Sequence, residues 1–294
     1  MKILITGANG FVAHYLIEQL LAKKYTVIAT ARDEYKGNIK NELLHFAQMD
    51  FTNAHEVNAV FKKYLPTHII HAGAISKPDD CEQNNELAYK INVEATKILL
   101  IAAEQHQCSF LLVSTDFVFD GEKGMYKEDD ERKAVSYYGQ TKIWAEDLVM
   151  QYPFAWSIVR TVLVYGKPLT GRNNIITLVK EKLQKGEPYN VFSDQVRTPT
   201  YVEDLANGIV RMIEKNAKGV YHISGETVVT PYQMAIATAE FLNLDKSLIK
   251  EVTAQTFTQP ALRPDKTGFD ISKAKRDLGF MPISFEEGLR KTLG

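Results

Sequence analysis

The sequence predicts an α/β fold, a doubly wound parallel sheet followed by a smaller C-terminal lobe, and three observations carry the prediction. Short apolar and β-branched runs alternate with helix-length segments from the first residues to about residue 165. The turn between the first run and the first helix, "ITGANGFVAHYL", carries Gly7 and Gly10. A chain of 294 residues with 45% hydrophobic content can fill the core that a sheet covered on both faces requires.

In order, "KILIT" reads as the first strand, "FVAHYLIEQLLAKK" as the first helix and "TVIATA" as the second strand, and "MDF" follows the third. "THIIHAG", "SFLLVS" and "WSIVRT" continue the series, each separated from the next by a helix-length segment. After about Tyr165 the pattern loosens through "YGKPLTG", the helix-like "NNIITLVKEKLQKG" and the loop "SDQVRTPT". "GVYHIS", near residues 219 to 224, is predicted to rejoin the sheet. "TPYQMAIATAEFLNL" and the tail "SFEEGLRKTLG" read as amphipathic helices of the smaller lobe. The expected division is residues 1–165 for the sheet domain and 166–294 mainly for the lobe, with no internal repeat and no low-complexity linker.

Composition excludes several function classes. Lys+Arg 35 against Asp+Glu 36 leaves a formal net charge of −1, so no global field favours nucleic acid or an anionic membrane. Cys81 and Cys108 are the two cysteines, and no Cys or His stands at metal-ligand spacing, so neither a disulfide framework nor a zinc site is expected, no metal-ligating residues are assigned, and a metal requirement is left open. The strand-like "MKILIT" start leaves no room for a signal sequence, no apolar run reaches the ~20 residues of a membrane span, and a cytoplasmic protein is expected.

Glycines at a strand-to-helix turn leave backbone amides at a helix N-terminus facing outward, where a pyrophosphate can sit, and Ala13 is small enough for close helix-to-strand packing. Two residues separate Gly7 from Gly10, so this is not the tight G-x-G-x-x-G form, but its place at the first strand of an alternating chain marks a Rossmann-type dinucleotide site. Gly7, Asn9, Gly10, Phe11 and Val12 are its candidate cofactor residues. The second strand ends in Ala31 and Arg32. A guanidinium suits a 2′-phosphate, which favours NADP(H) over NAD(H). In the alternative, Arg32 is a solvated loop residue and Asp33 binds the ribose hydroxyl of NAD. Asp50 and Phe51 are expected at the adenine end, and Ala72, Gly73 and Ala74 where backbone approaches the cofactor.

"YYGQTK" sets Tyr138 and Lys142 four residues apart, on one face of a helix. Upstream, Thr115 ends a core strand, and strand C-termini of a doubly wound sheet open onto the ligand crevice. A hydride delivered to a ketone leaves an alkoxide that needs a proton, and a phenol of pKa ~10 supplies it at neutral pH only when a cation stabilises the phenolate. Lys142 is that cation, Tyr138 the proton donor, and the hydroxyl of Thr115 a donor to the carbonyl oxygen.

Taken together, "TGANGFVA", "INVEAT", "STDFVFDG" and "YYGQTK" resemble the extended short-chain dehydrogenase/reductase family over essentially the whole chain. "YKEDD", "RTVLVYG", "TPTYVEDLA" and "LRPDKTGFDISKAKRDLG" resemble its dTDP-4-dehydrorhamnose reductase branch. The resemblance implies NADPH-dependent reduction of a nucleotide-linked 4-keto sugar, with dTDP-4-dehydro-L-rhamnose going to dTDP-L-rhamnose as the first candidate. It implies catalytic roles for Thr115, Tyr138 and Lys142, with Lys142 also at the nicotinamide ribose and Asn92 in an active-site asparagine segment. Related 4,6-dehydratases follow this strand end with Asp and Glu; here Asp116 is followed by Phe117, so elimination lacks its base and simple reduction is expected. Asp116 is then either a sugar-hydroxyl contact or a loop-ordering or capping group, and Phe117 and Arg263 join it as expected substrate residues, Arg263 having a structural ion pair as its alternative. Phe117 and Leu163 stand where the branch tends to carry Tyr and Trp, which leaves the sugar open. A homodimer, a regulatory subunit like the methionine adenosyltransferase β subunit, and a sugar-nucleotide epimerase are the further possibilities that the resemblance raises.

Overall fold

Alternating side chains of the first strand set the layering. In the computed structural model, which describes residues 1–169 and 173–294, Ile3 and Ile5 of β1 (Lys2–Thr6) join one hydrophobic cluster and Leu4 joins another, and all three are fully buried. A strand buried on both faces belongs inside a parallel sheet with helices on each side. The later strands are β2 (Thr26–Ala31), β3 (Leu44–Gln48), β4 (His68–His71), β5 (Ser109–Thr115), β6 (Trp156–Thr161), β7 (Val164–Tyr165), β8 (Tyr189–Phe192), β9 (Thr200–Tyr201), β10 (Gly219–His222) and β11 (Ile249–Val252). Six of them form the seven-stranded main sheet with β1, in the order β10-β6-β5-β4-β1-β2-β3 with every pairing parallel. The order reverses between β1 and β4, which opens a crevice at the C-terminal ends of those strands.

The helices are α1 (Phe11–Ala22), α2 (Ala54–Tyr64), α3 (Pro78–Gln83), α4 (Asn85–Tyr89), α5 (Ala95–Gln105), α6 (Tyr137–Met150), α7 (Ile175–Gln184), α8 (Val202–Glu214), α9 (Pro231–Phe241), α10 (Ser272–Leu278) and α11 (Phe285–Leu293). Leu16 and Ile17 of α1 meet Leu205 and Ile209 of α8 on the Ile3 face; Val57, Phe61, Leu99, Ala145 and Val149 from α2, α5 and α6 cover the Leu4 face. Packing rather than propensity holds α8, because each of its buried Val, Leu and Ile side chains contributes ~1.5–3 kcal/mol against about 1 kcal/mol lost at its interior Gly208.

The separate lobe is smaller than expected. It consists of α7 and α9 packed with the parallel pair β8–β11 around Val179, Leu183, Val191, Ala235 and Ile249. The tail that was expected in the lobe lies elsewhere: Ala274 and Leu278 of α10 and Phe285 and Leu289 of α11 belong to the main cluster with α1 and α8. Periodicity identifies these helices as amphipathic, yet it does not say which apolar surface they cover.

Candidate active site

The crevice begins at a close contact between two backbone turns. Gly7 has φ +72°, a region that favours glycine, and a Cβ there would stand 2.8 Å from Gly73 Cα. Behind this contact Gly73 N–H donates to Thr6 Oγ1 (3.2 Å), which lies 2.7 Å from His71 Nδ1. Burial, aided by the charge of Lys142, pulls the His71 pKa down to about 3, so its ring is neutral and can accept from Thr6. A Cβ on Gly73 would meet the Phe51 ring at 2.6 Å. Gly7, Gly73 and Phe51 are therefore in one place, and Gly10, the N-cap of α1, opens the helix with no side-chain cap, ahead of Phe11 and Val12. Ala72 and Ala74 flank Gly73 in the turn that follows β4.

Three other residues expected at the cofactor have their polar ends engaged by the protein. Asn9 Nδ2 donates to the Glu34 carbonyl (2.9 Å) and its Oδ1 accepts from Lys36 N–H (2.8 Å), so it clamps the loop after β2. Asp50 Oδ1 accepts from the backbone and hydroxyl of Thr52 at 2.9 and 2.8 Å in a side-chain turn. Asn92, buried in the π-helical turn Lys90–Glu94, exchanges hydrogen bonds with both backbone groups of Ile75 and donates to Thr141 Oγ1 at 3.0 Å. Thr141 in turn donates to the Tyr138 carbonyl (2.7 Å), which ties the loop after β4 to α6. Arg32 is the opposite case: its side chain is 74% exposed, with Asp33 3.8 Å away.

The end of β5 and the start of α6 bring Thr115, Phe117, Tyr138 and Lys142 together. Ser136 caps α6 by accepting from Gly139 N–H (3.3 Å). The ring of Phe117 meets that of Tyr138 edge-on at 5.6 Å between centroids. One turn on, Lys142 Nζ donates to the carbonyl of Val113 (2.9 Å), two residues before Thr115. Lys142 is 3% exposed; burial lowers its pKa to about 8, with the charge of Glu146 opposing.

Two of the three residues expected at the substrate have their charged ends turned to the protein. Asp116 is 3% exposed, accepts from Thr115 Oγ1 at 3.0 Å and from Thr267 Oγ1, and has Arg197 Nε 3.9 Å away. Of its two readings, these contacts are those of a loop-ordering group. Arg263 forms a two-pronged pair with Asp79 at 3.0 and 2.7 Å, the ion-pair alternative for that residue. Asp79 also accepts from Ala261 N–H, so α3 is strapped to the segment that carries Arg263.

Residues that the sequence analysis did not single out complete the surroundings. Glu146, fully buried two turns beyond Tyr138, accepts from Ser114 Oγ (2.6 Å), Arg160 Nε (3.0 Å), Arg160 Nη2 (2.8 Å) and Arg132 Nη1 (3.2 Å). Its position on the Tyr138–Lys142 face, and Arg160 as the one charge in "WSIVRT", are the signals that mark this pair in the sequence. Arg197 donates to the carbonyls of Val196, Pro264 and Asp265 and so fixes the loop that carries Thr267. Among the described residues, no group of three or more His, Cys, Asp or Glu could hold a metal ion, and no helix is long and apolar enough to cross a membrane.

Comparison with known proteins gives the chain's relatives. A family model described as the RmlD substrate binding domain matches residues 1–294. A dTDP-4-dehydrorhamnose reductase from Aggregatibacter actinomycetemcomitans is 30% identical over 98% of this chain and 97% of its own. The crystal structure of dTDP-4-dehydrorhamnose reductase from Bacillus anthracis in complex with NADP superposes with a TM-score of 0.87 at 28% identity, covering 99% of this chain and 98% of its own. The methionine adenosyltransferase 2 subunit beta of Xenopus tropicalis is 28% identical over 99% of this chain and 87% of its own.

Proposed function

The chain belongs to the RmlD substrate binding domain family, within the extended short-chain dehydrogenases/reductases, and on that premise we propose that it is an NADPH-dependent reductase of a nucleotide-linked 4-keto sugar, with dTDP-4-dehydro-L-rhamnose as its first candidate substrate. The observation that carries this reading is Lys142, an ammonium held dry beneath Tyr138 and tied to the strand that ends in Thr115.

The residues present fit a dinucleotide. The Gly7–Gly73 contact leaves no room for a Cβ, so the turn offers bare backbone at the α1 N-terminus, where a diphosphate is favoured. Gly7, Gly10, Phe11, Val12, Ala72, Gly73, Ala74 and Phe51 would line the cofactor, Tyr138 and Lys142 would meet its nicotinamide end, and Asn9, Asp50 and Asn92 would act by shaping the loops around it. When bound, the reduced nicotinamide supplies the hydride for the ketone carbon.

The protein's own residues handle the oxygen. As the C=O π pair moves onto oxygen, the Tyr138 hydroxyl delivers its proton and an alcohol results. The Lys142 ammonium stabilises the phenolate left behind, and the Thr115 hydroxyl donates to the same oxygen as its charge grows. Arg32, exposed after β2, supports the preference for a 2′-phosphate. We set this chemistry in the cytoplasm.

A second reading, a regulatory subunit without turnover, is favoured by the likeness to the methionine adenosyltransferase subunit. The two separate in one assay, in which purified protein is given dTDP-4-dehydro-L-rhamnose and followed by absorbance with NADPH and with NADH. Rapid NADPH oxidation supports the reductase. Tight NADPH binding, no oxidation with any nucleotide-linked keto sugar, and stoichiometric association with a methionine adenosyltransferase support the regulator.

A further inference from the structure

Thr115 has one hydroxyl proton, and it is directed at Asp116 Oδ1, 3.0 Å away, while Thr115 Oγ1 itself accepts from Phe117 N–H at 3.3 Å. In that arrangement the hydroxyl offers a substrate oxygen only lone pairs, which repel a growing alkoxide. Asp116 decides the matter, because its other oxygen is already occupied by Thr267.

The groups around Asp116 come from every element packed on it. Thr115 lies on β5, Thr267 on the C-terminal loop and Arg197 before β9, with Asp265 beyond Arg197; α6 brings Tyr138 against the neighbouring Phe117 and Lys142 to the Val113 carbonyl of β5. Arg197 spends its terminal nitrogens on Gln195 and on the carbonyls of Val196, Pro264 and Asp265, and its Nε stands off at 3.9 Å. Burial pushes the Asp116 carboxyl above the usual range, and Arg197, Thr267 and Thr115 oppose the shift without reversing it.

We propose that Asp116 is a positioning residue that sets the direction of the Thr115 proton: as a neutral acid it donates to Thr115 Oγ1 and turns the Thr115 proton toward the substrate carbonyl, and as a carboxylate it draws that proton inward. The proposal rests on the reductase reading of Thr115. In the neutral state the Asp116 proton stays on Oδ1 throughout reduction, and ionisation releases it to solvent; Thr267 donates to Oδ2 in both states, and the proton that ends on the alcohol comes from Tyr138. The negative charge that grows on the substrate oxygen favours the neutral acid, so the productive orientation strengthens as reduction proceeds.

Asp116→Asn tests it, since an amide Nδ2 donates to Thr115 permanently while Oδ1 accepts from Thr267. With NADPH and the keto sugar, wild-type kcat falls about tenfold per pH unit above the Asp116 midpoint, ahead of the Tyr138–Lys142 limb. D116N loses the first of these two limbs and stays within about tenfold of the wild-type maximum. A D116N profile with both limbs, or turnover more than about a hundredfold lower at every pH with normal NADPH affinity, overturns the proposal. Infrared difference spectra of the wild type carrying ¹³C-carboxyl aspartate give a second reading that does not depend on that variant folding. A protonated carboxyl band whose midpoint rises in Thr115→Val supports the coupling; a carboxyl ionised throughout, or a midpoint unmoved by T115V, overturns it. If no keto sugar is turned over, the reductase reading fails by itself, and the infrared titration still decides whether Asp116 and Thr115 are coupled.

Discussion

A Cβ on Gly139 would stand 2.1 Å from the carbonyl oxygen of Phe117. The absence of a side chain there lets α6 close onto the end of β5 and bring Tyr138 against Phe117. Gly139→Ala forces backbone apart on both sides. It should cost about 1–3 kcal/mol of stability, measured by denaturant unfolding, and lower turnover by at least ~10²-fold because a displacement of about 1 Å is enough. NADPH affinity should change far less than turnover.

The pH dependence of reduction should carry the mark of Lys142. Its folded pKa of about 8 lies below the ordinary lysine value of 10.5, so the ammonium that supports the Tyr138 phenolate is lost as pH rises through about 8. Turnover should fall on that alkaline side in the wild type. Tyr138→Phe should lower it by ~10²- to 10⁴-fold at all pH values with cofactor binding nearly intact. Steady-state rates across pH, with cofactor affinity by fluorescence, check both.

Asp79 and Arg263 give a stability prediction of opposite sign. Burial raises the Asp79 carboxyl, but hydrogen bonds from Arg263 and Ala261 and the Arg263 charge outweigh it and hold the pKa below 3.8. A lowered folded pKa contributes stability that is present above the unfolded value and lost as pH falls through the folded one. Both side chains are partly exposed, at 16% and 31%, so Arg263→Ala should cost only about 1 kcal/mol or less and flatten the acid limb of the melting curve. Limited proteolysis should cut sooner within residues 253–262.

The pair of Glu146 and Arg160 should behave quite differently. Each is at most 1% exposed, so Glu146→Gln strands a guanidinium in the core and should cost ~3–5 kcal/mol. Replacing both by Met should cost markedly less than the single change, a difference that chemical denaturation resolves.

Arg32→Ala should weaken NADPH by about 10- to 100-fold and NADH hardly at all, the loss of one charge-assisted contact to a 2′-phosphate. Calorimetry with both cofactors measures this, and an equal effect on each would assign Arg32 to the solvated loop.

How much of this was legible in the sequence follows from range. The alternation of Ile3, Leu4 and Ile5 and the turn at Gly7 are local patterns, and they led directly to the sheet and its crevice. Tyr138 and Lys142 were legible for the same reason, being one helical turn apart. Asp116 was visible as a residue but not as part of a set, because Thr267 lies 151 residues away and no periodicity links them. Asn9 shows the converse: its position in the glycine turn pointed to the cofactor, while its amide is used on a loop after the next strand. The tail helices α10 and α11 declared their apolar faces and not their destination, which only the exposed flank of the α1–α8 layer decides.

That loop has a consequence for anyone who wishes to rewrite cofactor choice. Asn9 grips the carbonyl of Glu34 and the N–H of Lys36, and Gln48 Nε2 grips the carbonyl of Arg32 at 2.8 Å, so the segment is held by its main chain. Tyr35, stacked on Phe46, is the side chain that must stay. The side chains at 32, 33, 34 and 36 are interchangeable parts on a fixed mount, proline excepted at 36 because the clamp needs its N–H. If Arg32 meets the 2′-phosphate as proposed, a library confined to those four positions should trade one dinucleotide for another while the scaffold beneath it never registers the exchange.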